Sequence, residues 1–121
     1  MAISKESVIV DKSFDFAERI VKLYKYLINE KKEYILSKQI LRCGTSIGAN
    51  VSEAHGSIST SDFSNKISIA YKEIKETDYW LRLLHRTNYI NDKMFNSLLN
   101  DIDELSKILF SIIKTTRLKN K

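Results

Sequence analysis

The scarcity of proline and glycine restricts this chain to long, uninterrupted helices. Its 121 residues include no proline, and its glycines all lie between Gly44 and Gly56. Proline breaks a helix interior and glycine weakens it, so their absence elsewhere favours helices. A chain of this length can build one hydrophobic core but not two. The sequence therefore predicts a single all-α domain.

Four segments carry the apolar spacing that is typical of amphipathic helices. Apolar residues recur three and four positions apart, which places them on one side of a helix. We predict helices at about residues 13–29, 33–55, 60–87 and 92–115. Short polar connections make consecutive helices antiparallel neighbours. The predicted fold is an antiparallel up-down-up-down four-helix bundle.

The ends of the predicted helices are marked by residues that commonly cap them. A serine or asparagine oxygen can accept hydrogen bonds from the first backbone amides of a helix. The candidate N-caps are Ser13, Ser59 and Asn91. Gly56 is expected to follow the second helix as its C-terminal cap. The bundle should span residues 13–115, between a flexible N-terminal arm at 1–12 and a basic C-terminal tail at 116–121.

The first predicted helix has a wider apolar face than one neighbouring helix requires. One stripe consists of Phe16, Ile20, Leu23 and Leu27. A second stripe beside it consists of Phe14, Ala17, Val21, Tyr24 and Ile28. This width indicates that the helix contacts more than one neighbour.

The second predicted helix shows distinctive residues on two sides. Nearly opposite its apolar stripe lie four residues at spacings of four, three and four, namely Arg42, Ser46, Ala49 and Glu53. Gly44, Gly48 and Ala49 lower helix propensity or bulk but let another backbone approach closely. We therefore predict that this helix packs against neighbours on both sides.

An arginine of the second helix and two glutamates of the third form the central predicted cluster. In an antiparallel pair, Arg42 lies opposite Glu73 and Glu76, and a guanidinium matches carboxylates well. One interpretation is an exposed ion pair worth under about 1 kcal/mol. The other is a partly buried network at a subunit contact, which the neighbouring aromatic residues favour. The candidate interface set is Arg42, Ser46, Asn50, Glu53, Glu73, Glu76, Tyr79 and Trp80.

The positive charge of the chain is concentrated at its C-terminal end. The net charge is +5, and residues 107–121 contain five basic residues and no acidic one. Such an end can bind nucleic acid, but it also suits a helix C-terminus, where the dipole favours cations. The candidate nucleic-acid-binding residues are Arg82, Arg86, Lys114, Arg117, Lys119 and Lys121.

The sequence offers little support for catalysis or a cofactor. Neither histidine stands in the Glu-x-x-His relation that a carboxylate-bridged metal site in a bundle requires, so no metal, cofactor or catalytic residue is predicted. Cys43 has no histidine within helical reach and is expected to act as a small buried hydrophobic residue. A single cysteine and the lack of a signal-like or membrane-spanning apolar run indicate a cytoplasmic protein without a membrane partner.

Two motifs of the chain resemble a known family. The first is Gln39-x-x-Arg42-x-x-x-Ser46-Ile47-x-x-Asn50-Val51-x-Glu53, and the second, after Asp62-Phe63, is Ala70-x-x-Glu73-x-x-Glu76-x-x-Tyr79-Trp80-Leu81. Together they resemble the bacterial four-helix-bundle proteins known as 23S rRNA intervening-sequence proteins. That family also includes the accessory variability protein of diversity-generating retroelements, a pentameric ring that binds nucleic acid and a reverse transcriptase.

The resemblance implies a homopentamer of up-down bundles and does not imply catalysis. We therefore expect a non-enzymatic oligomer that binds itself and structured RNA, such as rRNA, or a protein that processes nucleic acid. A protein–protein scaffold without a nucleic-acid role is the first alternative. A small all-α enzyme with a pocket around Arg42 and Glu73 is the second.

Overall fold

The computed structural model describes the backbone of residues 5–119 and the side chains of residues 7–117. Within this range the chain forms four helices and no strand. They are α1 (Lys5–Asn29), α2 (Leu36–His55), α3 (Thr60–Arg86) and α4 (Asp92–Lys119). Consecutive helices pack against each other, and α4 closes the bundle against α1. The predicted four-helix bundle is confirmed.

The hydrophobic core is built from one apolar stripe of each helix. The apolar stripes of α2, α3 and α4 begin at Leu36, Phe63 and Phe95, which are half-buried at the ends of the bundle, and continue as buried residues to Ala54, Leu81 and Ile112. On α1, the stripe through Phe16 and Ile20 faces the core. Burying side chains of this size contributes about 1.5–3 kcal/mol each, so these stripes are the main source of stability.

Helix α1 begins at Lys5, eight residues before the predicted start at Ser13. Ile9 is buried in the core and anchors this additional length. Ser13 is not an N-cap, because it is buried within the helix and its hydroxyl donates to the carbonyl of Val10. The predicted flexible arm is therefore corrected for residues 5–12, and residues 1–4 lie outside the described range.

Helix α2 begins three residues later than predicted because Glu33 acts before the helix and not within it. The buried Glu33 carboxylate accepts hydrogen bonds from the backbone amides of Ile35 and Leu36, at 2.7 and 2.5 Å from Oε1. These amides have no carbonyl partner within the helix. Lys32 adopts a positive φ of 53° just before it, which turns the chain between α1 and α2.

The other helix ends agree with the sequence more closely. The Ser59 hydroxyl accepts from the backbone amide of Asp62 at 3.0 Å, and Asn91 Oδ1 accepts from that of Met94 at 2.8 Å. Gly56 follows α2 with a φ of −93°, so its position does not require a glycine. Helix α4 extends to Lys119; the part of the predicted tail up to that residue is helical, and residues 120–121 lie outside the described range.

Two glycines of α2 bring this helix close to α1 of the same chain. A Cβ atom placed on Gly44 would lie 2.8 Å from Cγ1 of Ile20, and one on Gly48 would lie 3.0 Å from the backbone oxygen of Ser13. The close backbone approach predicted for the small residues therefore occurs within the chain at Gly48, whereas Gly44 makes room for the Ile20 side chain. Ala49 is exposed, so it alone of the three remains on the outer surface of α2.

Candidate subunit interface and nucleic-acid surfaces

Arg42 joins α2 to α3 through two carboxylates. Its Nη2 donates to Oε2 of Glu76, and its Nη1 lies 3.8 Å from Oε2 of Glu73. The same Glu76 oxygen accepts from Nε1 of Trp80 at 3.1 Å. The predicted juxtaposition of Arg42 with Glu73 and Glu76 is therefore present within one chain. We call these four residues the Arg42 network.

The Arg42 network contains two carboxylates for one guanidinium. Burial raises the pKa of Glu73 above its usual 4.5, and the Glu76 carboxylate raises it further, while Arg42 opposes both effects. Within the described part of the chain, Oε2 of Glu73 is buried without a hydrogen-bond partner. One more positive charge or hydrogen-bond donor would therefore stabilise this cluster.

The remaining predicted members of the interface set make separate contacts. The Ser46 hydroxyl donates to the Arg42 carbonyl at 2.7 Å, and Asn50 Nδ2 donates to the Ser46 carbonyl at 2.8 Å. Asn50 thus bonds to the backbone of its own helix. Glu53 forms an ion pair with Lys66 at 3.6 Å, away from the Arg42 network.

Two aromatic side chains form the outer boundary of the Arg42 network. Tyr79 is 58% exposed, and its ring meets that of the half-buried Trp80 edge to face at 4.9 Å.

Cys43 is buried close to the Arg42 network, and burial raises the pKa of its thiol to about 11. A thiol with this pKa is protonated at neutral pH and a poor nucleophile, in line with the predicted role of a small buried residue.

Glu73→Gln is expected to stabilise the fold at pH 7 and to have little effect at pH 4. A carboxyl group whose pKa is raised on folding destabilises the folded state when it is ionised, and this penalty disappears as the pH falls towards 4.5. Thermal unfolding of both proteins at both pH values measures the difference. Glu104→Gln, which alters an exposed ion pair with Lys12, is the matched control. A Glu73→Gln protein less stable than wild type at pH 7 would contradict this account.

The predicted basic residues do not share one surface. In the antiparallel pair of α3 and α4, the rings of His85 and Phe95 stack at 4.1 Å, and Tyr71 faces Phe110 at 6.3 Å. Arg82 and Arg86 therefore lie beside the start of α4. Its end lies about 30 Å away along the bundle, at 1.5 Å per residue. Arg82 and Arg86 were expected to join the tail residues only if the end of the third helix shares their surface, and this condition is not met.

The two basic ends also differ in their partners. Arg82 is engaged by Asp78 at 3.0 Å and lies 5.9 Å from the ring centre of Phe95, and the hydrogen bond to Asp78 raises its pKa. Arg86 is exposed. At the opposite end Lys114 and Arg117 are exposed. The side chains of residues 119 and 121 lie outside the described range, so the structure places only two of the four predicted tail residues.

The structure also shows a surface that the sequence indicated only in part. The second stripe of α1 is half-buried from Ala17 to Ile28, and its first member, Phe14, is 65% exposed. Beside it a groove of about 430 Å³ runs between α1 and α2. Its lining residues are Val10, Asp11, Phe14, Asp15, Gly48 and Ser52. The wide apolar face predicted for α1 was the signal for this groove, but its acidic residues were missed.

Other kinds of site find no support in the described residues. Among the described side chains of residues 7–117, no group of three His, Cys, Asp or Glu residues is placed to hold a metal ion. No helix between residues 5 and 119 has the length and apolar character needed to cross a membrane.

The fold and the surfaces define a small all-α bundle with exposed aromatic and charged faces and an ion-pair network between two helices. The chain belongs to the 23S rRNA-intervening sequence protein family, whose model matches residues 5–111. It is also similar to a crystal structure of a protein of unknown function from the S23 ribosomal protein family of Bacteroides thetaiotaomicron. The two are 57% identical, with a TM-score of 0.90, and the match covers 92% of this chain and 99% of that one. Among curated proteins, no match is found.

Proposed function

We propose that this protein is a non-enzymatic homo-oligomer, with five copies as the expected number, that binds structured RNA in its assembled form. The observation that carries the assembly is the Arg42 network with its exposed aromatic boundary. A half-exposed arginine, an under-compensated carboxylate pair and the Tyr79–Trp80 pair form a surface of the composition that subunit contacts favour. The number five comes from the family resemblance.

The exposed cations at the end of α4 support RNA binding. Lys114 and Arg117 extend from one end of the bundle, and a ring with parallel subunits would repeat them on one face. Phosphate contacts of this kind give affinity with little sequence preference and strong salt dependence. The descriptions of the matched family and of the similar structure both refer to the ribosome or its RNA, which favours RNA over DNA.

Reversal of charge at the α4 end is expected to weaken RNA binding at least about tenfold. Each lost contact between a cation and a phosphate lowers the affinity for RNA, and it also makes that affinity less dependent on salt concentration. We would titrate a structured RNA hairpin with the Lys114→Glu/Arg117→Glu protein at several salt concentrations by fluorescence anisotropy. The matched control is Lys25→Glu/Lys93→Glu, which changes two exposed lysines at the opposite end of the bundle. It makes the same change in charge and should retain most of the affinity.

The outcomes of this titration separate the alternatives. Equal losses in both variants would show that binding follows net charge and has no defined site. RNA binding that persists at about 200 mM salt would support the proposed site, whereas binding that is lost after a modest increase in salt would favour the scaffold function. Light scattering on a sizing column gives the mass of each protein independently of RNA.

A further inference from the structure

We propose that the groove between α1 and α2 binds the outer ridge of α3 from a second copy of this chain. This inference rests on the proposed assembly, in which the side of α3 beside the Arg42 network contacts a second subunit. It identifies the groove as the surface that this side of α3 contacts. The outer ridge is defined here as Lys72, Lys75, Tyr79 and Arg86. The two surfaces match in shape, in charge and in their positions on the bundle.

The groove and the ridge are complementary in shape. The groove is a concave space of about 430 Å³ with Phe14 along one side and Gly48 on the other. Pockets that bury an aromatic ligand have volumes of about 300–1,000 Å³. Tyr79 is the aromatic member of the ridge and could fill this space, because it is 58% exposed and its ring meets that of Trp80 edge to face. A tyrosine ring lying in the groove above Gly48 would have the exposed ring of Phe14 as an aromatic partner.

The two surfaces carry opposite charges. Asp11 and Asp15 are exposed and four residues apart on either side of Phe14, and neither has an ion-pair partner among the described side chains of residues 7–117. On the ridge, Lys72 and Lys75 are exposed and three residues apart. Lys75 lies 5.1 Å from the ring centre of Tyr71 and has no carboxylate partner within the described range. Each surface therefore lacks the charges that the other supplies, which favours a second copy over an unrelated partner.

The positions of the two surfaces on the bundle determine the kind of contact. The groove lies between α1 and α2, whereas the ridge lies on the outer side of α3. A contact between different surfaces of identical chains is heterologous, and repetition of it closes into a ring when the rotation allows. Each subunit would then use its groove towards one neighbour and its ridge towards the other.

A charge exchange within one chain tests this contact. The Asp15→Lys and Lys75→Asp proteins, each changed at one surface, are expected to lose at least about tenfold in assembly affinity, measured as the concentration at half-dissociation by light scattering. The chain carrying both changes should recover most of the wild-type affinity, because a lysine in the groove of one subunit then meets an aspartate on the ridge of the next. Recovery of this kind is not expected if the two residues act only within their own subunit.

A second pair of variants tests the aromatic part of the contact. Tyr79→Ala should reduce assembly while α-helical circular dichroism is retained. Phe110→Ala changes a comparably exposed aromatic residue, 55% exposed on α4, and should leave assembly unchanged.

The results distinguish the failure of this contact from the failure of assembly itself. A monomeric wild-type protein would overturn the proposed function and this inference together. An oligomeric wild type whose mass is unaffected by either single charge change, or a double variant that remains dissociated, would overturn this inference alone.

Discussion

Replacement of both Gly44 and Gly48 by alanine is expected to destabilise the protein by about 2 kcal/mol or more. Each added methyl group overfills a close-packed contact, which costs about 1–3 kcal/mol. Alanine in a helix gains up to about 1 kcal/mol over glycine, so packing outweighs propensity at each site. At Gly48 the obstacle is the Ser13 backbone at 3.0 Å, and only a shift of α1 can relieve it. Thermal unfolding at matched protein concentration should show a midpoint lower by roughly 8 °C.

Gly56→Ala is the matched control for this experiment. A Cβ atom at Gly56 would meet nothing closer than backbone oxygens at 3.9 Å, and its φ of −93° suits any residue. Its stability should therefore equal or slightly exceed that of the wild type. A Gly44→Ala/Gly48→Ala protein as stable as the control would mean that α1 and α2 are not packed as closely as the structure shows.

Arg42→Ala is expected to weaken assembly by about 2–5 kcal/mol while helix content is preserved. Arg42 is 54% exposed in the single chain, and the proposed assembly would remove it from water. Truncating one member of a charge pair that is desolvated at a contact leaves the other uncompensated, and losses of this size are typical. Here two carboxylates, Glu73 and Glu76, would face each other without a cation. The mass measured by light scattering across a dilution series should fall, while far-ultraviolet circular dichroism stays near the wild-type value.

Arg19→Ala provides the control for Arg42→Ala. Arg19 also joins two helices through a carboxylate, since its Nη1 lies 2.6 Å from Oδ2 of Asp101. This pair lies between α1 and α4, outside both proposed contact surfaces. Equal effects of the two variants on mass would indicate a general loss of bundle stability and would contradict a specific role of Arg42. Unchanged mass with lost helicity in Arg42→Ala would contradict it as well.

The fold followed from the sequence because helix periodicity and core burial depend on local spacing. The missed boundaries each involve a residue whose role depends on a distant partner. Ile9 holds the first turns of α1 only because other helices bury it, and the segment 1–12 has no convincing period of its own. Glu33 resembles the first residue of a helix, yet its carboxylate bonds backbone amides that follow it. Neither contact is visible in a local pattern.

The candidate surfaces were predictable to a lesser extent. The pairing of Arg42 with Glu73 and Glu76 followed from an antiparallel register alone. The separation of Arg86 from Arg117 also follows from the sequence, because α3 and α4 are antiparallel. Arg86 therefore lies beside the start of α4, and Arg117 lies near its end. The acidic character of the α1–α2 groove was not apparent, because Asp11 was assigned to a flexible arm. Whether a side chain faces solvent or a neighbour depends on the packing of all four helices.

The order in which the helices pack has a consequence for how the chain folds. Each helix contacts the next one along the chain, and only the contact between α1 and α4, the least extensive of the four, joins distant segments. Folding rates rise as contacts become more local in sequence, so the three helical hairpins should form quickly, and closure of α4 onto α1 should come last. Among the described side chains, two ion pairs cross that seam, Lys12–Glu104 and Arg19–Asp101. They are at least partly exposed and are screened by salt. High salt should therefore speed the opening of this seam in hydrogen exchange while the hairpins remain protected.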